Sequence, residues 1–108
     1  MTNKVRIMVV DDTITYRQIL SNVVTTLPKA ELVGTASSGK TAVMKFKSLK
    51  PHLVFLDVMM PEMDGIETLK ELKKIDPNVQ VVMVSGFDMA NAKATLESWE
   101  NGALDFVA

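Results

Sequence analysis

The residues in this chain best suited to chemistry are three carboxylates and a hydroxyl: Asp11, Asp12, Asp57 and Ser85. Each stands at the end of a short apolar run, VRIMVV before Asp11-Asp12, LVFL before Asp57 and VVMV before Ser85. If these runs are strands of one open parallel sheet, their carboxyl ends share an edge, where sites form in such sheets. Three carboxylates crowded at that edge repel one another unless a cation sits among them. Oxygen ligands of this kind suit Mg²⁺, which uses one or two carboxylates and keeps several waters. A carboxylate beside Mg²⁺ can attack a phosphoryl group and become an acyl phosphate. The transfer needs charge neutralised on the phosphoryl oxygens and an in-line attack. The Ser85 hydroxyl can donate to one of those oxygens.

Taken singly, each residue has an ordinary reading. An Asp at a strand end is usually a turn former or a helix cap, and Ser85-Gly86 is a common turn. The signal lies in their joint position at the same end of successive strands. His52 has no second His and no Cys to form a metal cluster, so it reads as a surface residue. Most of the eight Met occupy core-like positions as gap fillers. Tyr16 and Trp99 fit helical core or edge positions. The run Lys70-Glu71-Leu72-Lys73-Lys74 reads as a solvated helix face, without the aromatic interleaving of a nucleic-acid surface.

The elements that must position these groups alternate along the chain. Val5 to Val10 predicts a buried strand. Tyr16, Ile19, Leu20, Val23, Val24 and Leu27 recur at helical spacing before Pro28. Glu31 to Ala36 predicts a second strand. Ser38 caps a helix from Gly39 to about Leu49, with Ala42, Phe46 and Leu49 on one stripe. Leu53 to Asp57 is a third strand. Asp64 with Glu67 opens a helix marked by Ile66, Leu69, Leu72 and Ile75, closed by Asp76-Pro77. Val79 to Val84 is a fourth strand, Ala90 to Asn101 a fourth helix stopped by Gly102, and Leu104 to Val107 a fifth strand. This alternation predicts an α/β fold: a doubly wound, five-stranded parallel sheet covered on both faces.

Composition narrows the class. The chain has 108 residues, enough for one compact domain, and 47% of them are apolar. The absence of Cys excludes a disulfide framework and a thiolate metal site. A net charge of −1 gives no global attraction to nucleic acid or anionic lipid. No apolar run approaches the roughly 20 residues of a membrane helix, and the N-terminus does not read as a signal peptide. The expectation is a soluble, cytoplasmic protein that binds neither nucleic acid nor membrane.

At this point the chain resembles the receiver domain of bacterial response regulators over nearly its whole length. The matching pieces are VVDDT at Val9 to Thr13, LVFLDVMMPEMDGIE at Leu53 to Glu67, VVMVSG at Val81 to Gly86 and GALDFV at Gly102 to Val107. The resemblance implies a flavodoxin-like strand order 2-1-3-4-5 and two-component signalling, with Asp57 taking a phosphoryl group from a histidine kinase. It implies that Asp12 ligates Mg²⁺ directly, that Asp11 helps through water, and that Met59 contributes its backbone carbonyl. Ser85 falls at the phosphate-sensing position and Phe106 at the aromatic switch position. Met59 and Phe87 flank the site in the family. Phosphorylation would shift the population toward a state with a remodelled output surface. Two segments, LVGTASSGKTAV and ATLESWENGALDFVA, are similar to the receiver of chemotaxis methylesterases, which implies a chemotaxis partner or an output domain in a longer parent chain.

The family has a Lys, usually followed by Pro, just after the position of Ala108, and then a final helix. Neither occurs in this sequence, so the expectation is a receiver domain truncated at its C-terminus. An exposed sheet face beside the first helix, and dimerisation through it, would follow. Two rival readings stand beside the phospho-accepting one. A metal-dependent phosphatase with Asp57 as nucleophile would need an acid for the leaving group, often two residues further on, where this chain has Met59. A degenerate receiver acting only as an interaction module fits the missing Lys, but not the intact carboxylates.

Overall fold

The structure is a computed structural model that describes residues 4–57, 60 and 63–84. Seven elements alternate strictly: β1 (Val5–Val10), α1 (Ile14–Thr25), β2 (Ala30–Ala36), α2 (Gly39–Leu49), β3 (Leu53–Asp57), α3 (Gly65–Ile75) and β4 (Gln80–Val84). The strands form one parallel sheet in the order β2-β1-β3-β4. The expected fourth helix and fifth strand, and the end of the chain, lie outside the described residues. Among the described residues no helix is long and apolar enough to cross a membrane.

Side chains alternate along each strand, so the sheet carries two cores. Ile7, Val9, Leu53, Phe55 and Val82 face α1, which contributes Leu20 and Val24. Met8, Val10, Val54, Leu56 and Val81 face α2 and α3, which contribute Ala42, Phe46 and Leu72. β3 is buried along its full length, as expected of an inner parallel strand. On the sheet face beside α1, which was expected to be exposed, Leu53, Phe55 and Val82 are buried and Val5 and Leu32 partly buried; the rest of that expectation falls on residues outside the described ones.

β2 departs from simple alternation. Its register with β1 shifts between Ile7 and Met8, so that Ile7 pairs with Leu32 and Met8 with Gly34. Val33 is the extra residue of a bulge. Ala30 therefore joins the α1 core, whereas Ala36 joins the α2–α3 core. β2 is also an edge among the described strands, and Lys45 Nζ from α2 donates to its Thr35 carbonyl at 2.6 Å.

The helices start and stop where their sequences dictate. The Ser38 hydroxyl accepts the Thr41 N–H at 3.1 Å, and the Asp64 carboxylate accepts the Glu67 N–H at 2.9 Å. α2 ends at Lys50, whose left-handed φ of 48° precedes Pro51. Arg6 reaches across to donate to the Leu49 carbonyl at 2.6 Å. His52 is exposed, as expected, but its Nδ1 accepts the Arg6 N–H at 3.1 Å.

The apolar stripes are narrower than the sequence spacing implies. On α1 only Leu20 and Val24 are fully buried, and Ile19 is 39% exposed. One residue is a rotation of about 100°, which carries Ile19 off the sheet-facing line set by Leu20 and Val24. On α3 the buried line is Thr68 and Leu72, one turn apart, with Ile66 and Ile75 at its exposed margins.

Two substitutions test this account. Phe46→Ala should cost about 3–5 kcal/mol by leaving a cavity under α2. Ser38→Ala should cost about 1 kcal/mol by removing one cap. Urea denaturation of the two variants should separate them clearly; equal losses would contradict Phe46 as the main anchor of α2.

Candidate functional site

The pairing of β1 with β3 decides what meets at the carboxyl edge. Val10 is the register partner of Leu56, so the next residues, Asp11 and Asp57, reach the edge side by side. Asp11 carries the β1–β2 ladder one step past the strand, its N–H donating to the Ala36 carbonyl at 3.1 Å. The turn that follows presents Asp12. One carboxylate oxygen from each of Asp11, Asp12 and Asp57 lies within 4.8 Å of the others. These three expected site residues are thus brought together by strands that are distant in sequence.

Their surroundings differ. Asp11 is 1% exposed and Asp57 7%, whereas Asp12 is open to solvent. Burial pushes the Asp11 carboxyl above its ordinary range; the neighbouring Asp12 charge adds to this, and the Thr13 N–H and the Arg17 guanidinium oppose it. Two like charges at this separation repel by about 3 kcal/mol at an effective dielectric of about 20. A cluster of hard oxygen donors, two of them shielded from water, is a good resting place for a small divalent cation. The donor set fits Mg²⁺.

Two residues that the sequence reading passed over hold the turn in place. The Thr13 N–H donates to Asp11 Oδ1 at 2.8 Å, fixing the rotamer of that carboxylate. Arg17 Nη1 donates to the Asp11 backbone carbonyl at 2.8 Å, and the Arg17 N–H bonds the Thr13 carbonyl at 3.0 Å. Arg17 therefore pins the β1–α1 turn from the first turns of α1 and brings a positive charge to the acidic cluster.

Met59, Ser85 and Phe106, like Phe87, lie outside the described residues. The register reaches the threshold of one of them: Asp57 pairs with Val84, the residue before Ser85.

The comparisons agree with this geometry. A model of the response regulator receiver domain matches residues 7–108. The chemotaxis protein CheY of Thermotoga maritima is 40% identical over 104 residues, covering 94% of this chain and 82% of that protein. A protein-glutamate methylesterase/protein-glutamine glutaminase of Desulfotalea psychrophila is 42% identical over 102 residues, or 94% of this chain, yet the chain spans only 28% of that relative's length. The response regulator domain of Thermotoga maritima CheB superimposes with a TM-score of 0.75 at 38% identity, covering 98% of this chain and 78% of that one. With the sheet order, the paired carboxylates and a family match over nearly every residue in agreement, this chain belongs to the response regulator receiver domain family.

Proposed function

We propose that Asp57 is the residue on which this receiver domain accepts its phosphoryl group, with Asp11 and Asp12 completing the carboxylate set that holds Mg²⁺. The observation that carries the reading is the convergence of the three carboxylates within 4.8 Å on adjacent strand ends. The donor is a histidine kinase. Its phosphorus–nitrogen bond breaks as a Asp57 oxygen–phosphorus bond forms, and the imidazole nitrogen keeps the released electron pair and takes a proton. When bound, Mg²⁺ would neutralise charge on the phosphoryl oxygens and on the carboxylates.

The chain's own residues supply position. β3, paired on both sides, fixes the Asp57 backbone at the edge. The Thr13 N–H orients Asp11, and Arg17 holds the turn that carries Asp11 and Asp12. The family resemblance extends the set with the Met59 carbonyl as a further metal ligand, the Ser85 hydroxyl as a donor to the phosphoryl group and Phe106 as the aromatic that reports the change to the output surface. The names of the relatives support a chemotaxis setting; there, in the cytoplasm, the domain either acts on a partner protein or governs an output domain such as a methylesterase.

Incubation with a small acyl phosphate and Mg²⁺ should add one phosphoryl group to the intact mass, and Asp57→Asn should abolish the adduct. Label that persists unchanged in the variant would remove Asp57 from the role.

Asp11 gives a second, independent expectation. Its folded-state proton affinity is raised, so the native state holds the proton more tightly than the unfolded chain. Stability therefore falls as pH rises from the ordinary carboxylate range through the raised value. In metal-free buffer at neutral pH, Asp11→Asn should melt higher than the parent, with the gap closing as the pH falls below the ordinary Asp range. Mg²⁺ should raise the parent's Tm more than the variant's. Thermal melts across pH, with and without Mg²⁺, check both trends.

A further inference from the structure

The half-buried guanidinium of Arg17 is tied to the turn that carries Asp11 and Asp12, but to no carboxylate. Its Nη1 donates to the neutral Asp11 carbonyl at 2.8 Å. The direct ion pair found among the described residues, between Lys74 and Glu71, lies on α3. The charge of Arg17 therefore stands beside the cluster without being paired to any one member of it. By bond lengths alone, the Asp11 carboxylate lies within about 8 Å of that guanidinium. A cation held by the carboxylate lies within about 10 Å of it, near one Debye length at physiological salt.

Holding the turn does not by itself call for an arginine. The turn keeps ties that are independent of the Arg17 side chain: the Asp11 N–H to the Ala36 carbonyl at 3.1 Å, the Thr13 N–H to Asp11 Oδ1 at 2.8 Å and the Arg17 N–H to the Thr13 carbonyl at 3.0 Å. A neutral amide could donate to the Asp11 carbonyl as well. What the guanidinium adds is a charge that it does not lose by deprotonation. Arg6 offers a comparison, since it makes the same kind of bond, to the Leu49 carbonyl at 2.6 Å. Five residues of β1 place it about 16 Å from Asp11, so it has the bond without the cluster.

We infer that Arg17 sets how tightly the carboxylate cluster holds its divalent cation: its charge offsets the repulsion among Asp11, Asp12 and Asp57 when the cation is absent, and opposes the cation when it is present. The inference rests on the Mg²⁺ reading of the cluster made above and deepens it. With all three carboxylates ionised, one guanidinium and one Mg²⁺ bring the sum of charges to zero. Arg17 touches neither the cation nor a phosphoryl group. It acts through its field, as a fixed charge at the rim of a partly shielded site. The consequence is a cluster that tolerates being empty and exchanges its cation rather than trapping it.

The test uses the full chain and four variants: Arg17→Gln, Arg17→Lys, Ile14→Lys and Arg6→Gln. Mg²⁺ dissociation constants come from calorimetric titration at low and high NaCl, and Tm from thermal melts. Arg17→Gln keeps a donor and loses the charge. It should bind Mg²⁺ roughly 5-fold more tightly at low salt, and the gain should shrink at about 1 M NaCl, where the Debye length is about 3 Å. Its metal-free Tm should fall, and Mg²⁺ should raise that Tm further than it raises the parent's. Arg17→Lys keeps the charge and should bind as the parent does. Ile14 is 66% exposed on the first turn of α1, so Ile14→Lys adds a charge near the cluster without loss of core. It should weaken Mg²⁺ binding, and it carries the test should Arg17→Gln fail to fold. Arg6→Gln, remote from the cluster, should leave Mg²⁺ binding unchanged. Binding that is unchanged or weaker in Arg17→Gln, or tightened equally by Arg17→Lys, would overturn the inference and leave Arg17 as a tie of the turn alone. An Ile14→Lys variant that binds as the parent does would overturn it too. A parent that binds no Mg²⁺ would instead remove the metal reading of the cluster, and the inference with it.

Discussion

Asp11 and Asp57 are buried neighbours of like charge, and the fold has to hold them together against their repulsion. Much of that force lies away from the carboxylates. It comes from the ladder between β1 and β3 and from the two cores on either side of it, which contain the largest fully buried side chains among the described residues, Phe46 and Phe55 among them. Apolar burial at the middle of the sheet thus supports a strained electrostatic arrangement at its rim. The division is physical as well as spatial: hydrophobic packing is insensitive to the charge state at the edge, so the site can gain or lose a cation while the sheet beneath keeps its register.

Much of this was legible in the chain. Near-continuous apolar runs marked β1 and β3 because inner parallel strands are buried on both faces and need no alternation, and a similar run marked β4. Ser38 and Asp64 announced helix starts through the side chains that cap them. The acidic cluster was legible for a topological reason: parallel strands point one way, so their terminal residues collect at one edge whatever their distance in sequence.

Other features had no sequence signature strong enough to read. The β2 bulge moves Ala36 to the opposite face from Ala30, and a one-residue insertion in a strand leaves no mark on composition. Ile19, Ile66 and Ile75 looked like core residues because the helical stripe was drawn too wide; helices on a flat sheet bury a narrow line, and these three sit at its margins. Arg17 and Thr68 were missed for a shared reason. Each bonds a backbone carbonyl, of Asp11 and of Asp64 respectively. Backbone acceptors are present at every residue, so a sequence cannot say which one a side chain will choose.

The contact between Lys45 and Thr35 on the outer side of β2 carries a consequence for association. An edge strand offers unpaired amides and carbonyls to any extended chain that passes, and growth of the sheet in that direction is a route to aggregation. Here an ammonium group already occupies one of those carbonyls, so an incoming strand would have to displace it and strip its water for the gain of a single backbone bond. Chemical neutralisation of that one lysine would therefore reopen a border that the fold otherwise keeps closed.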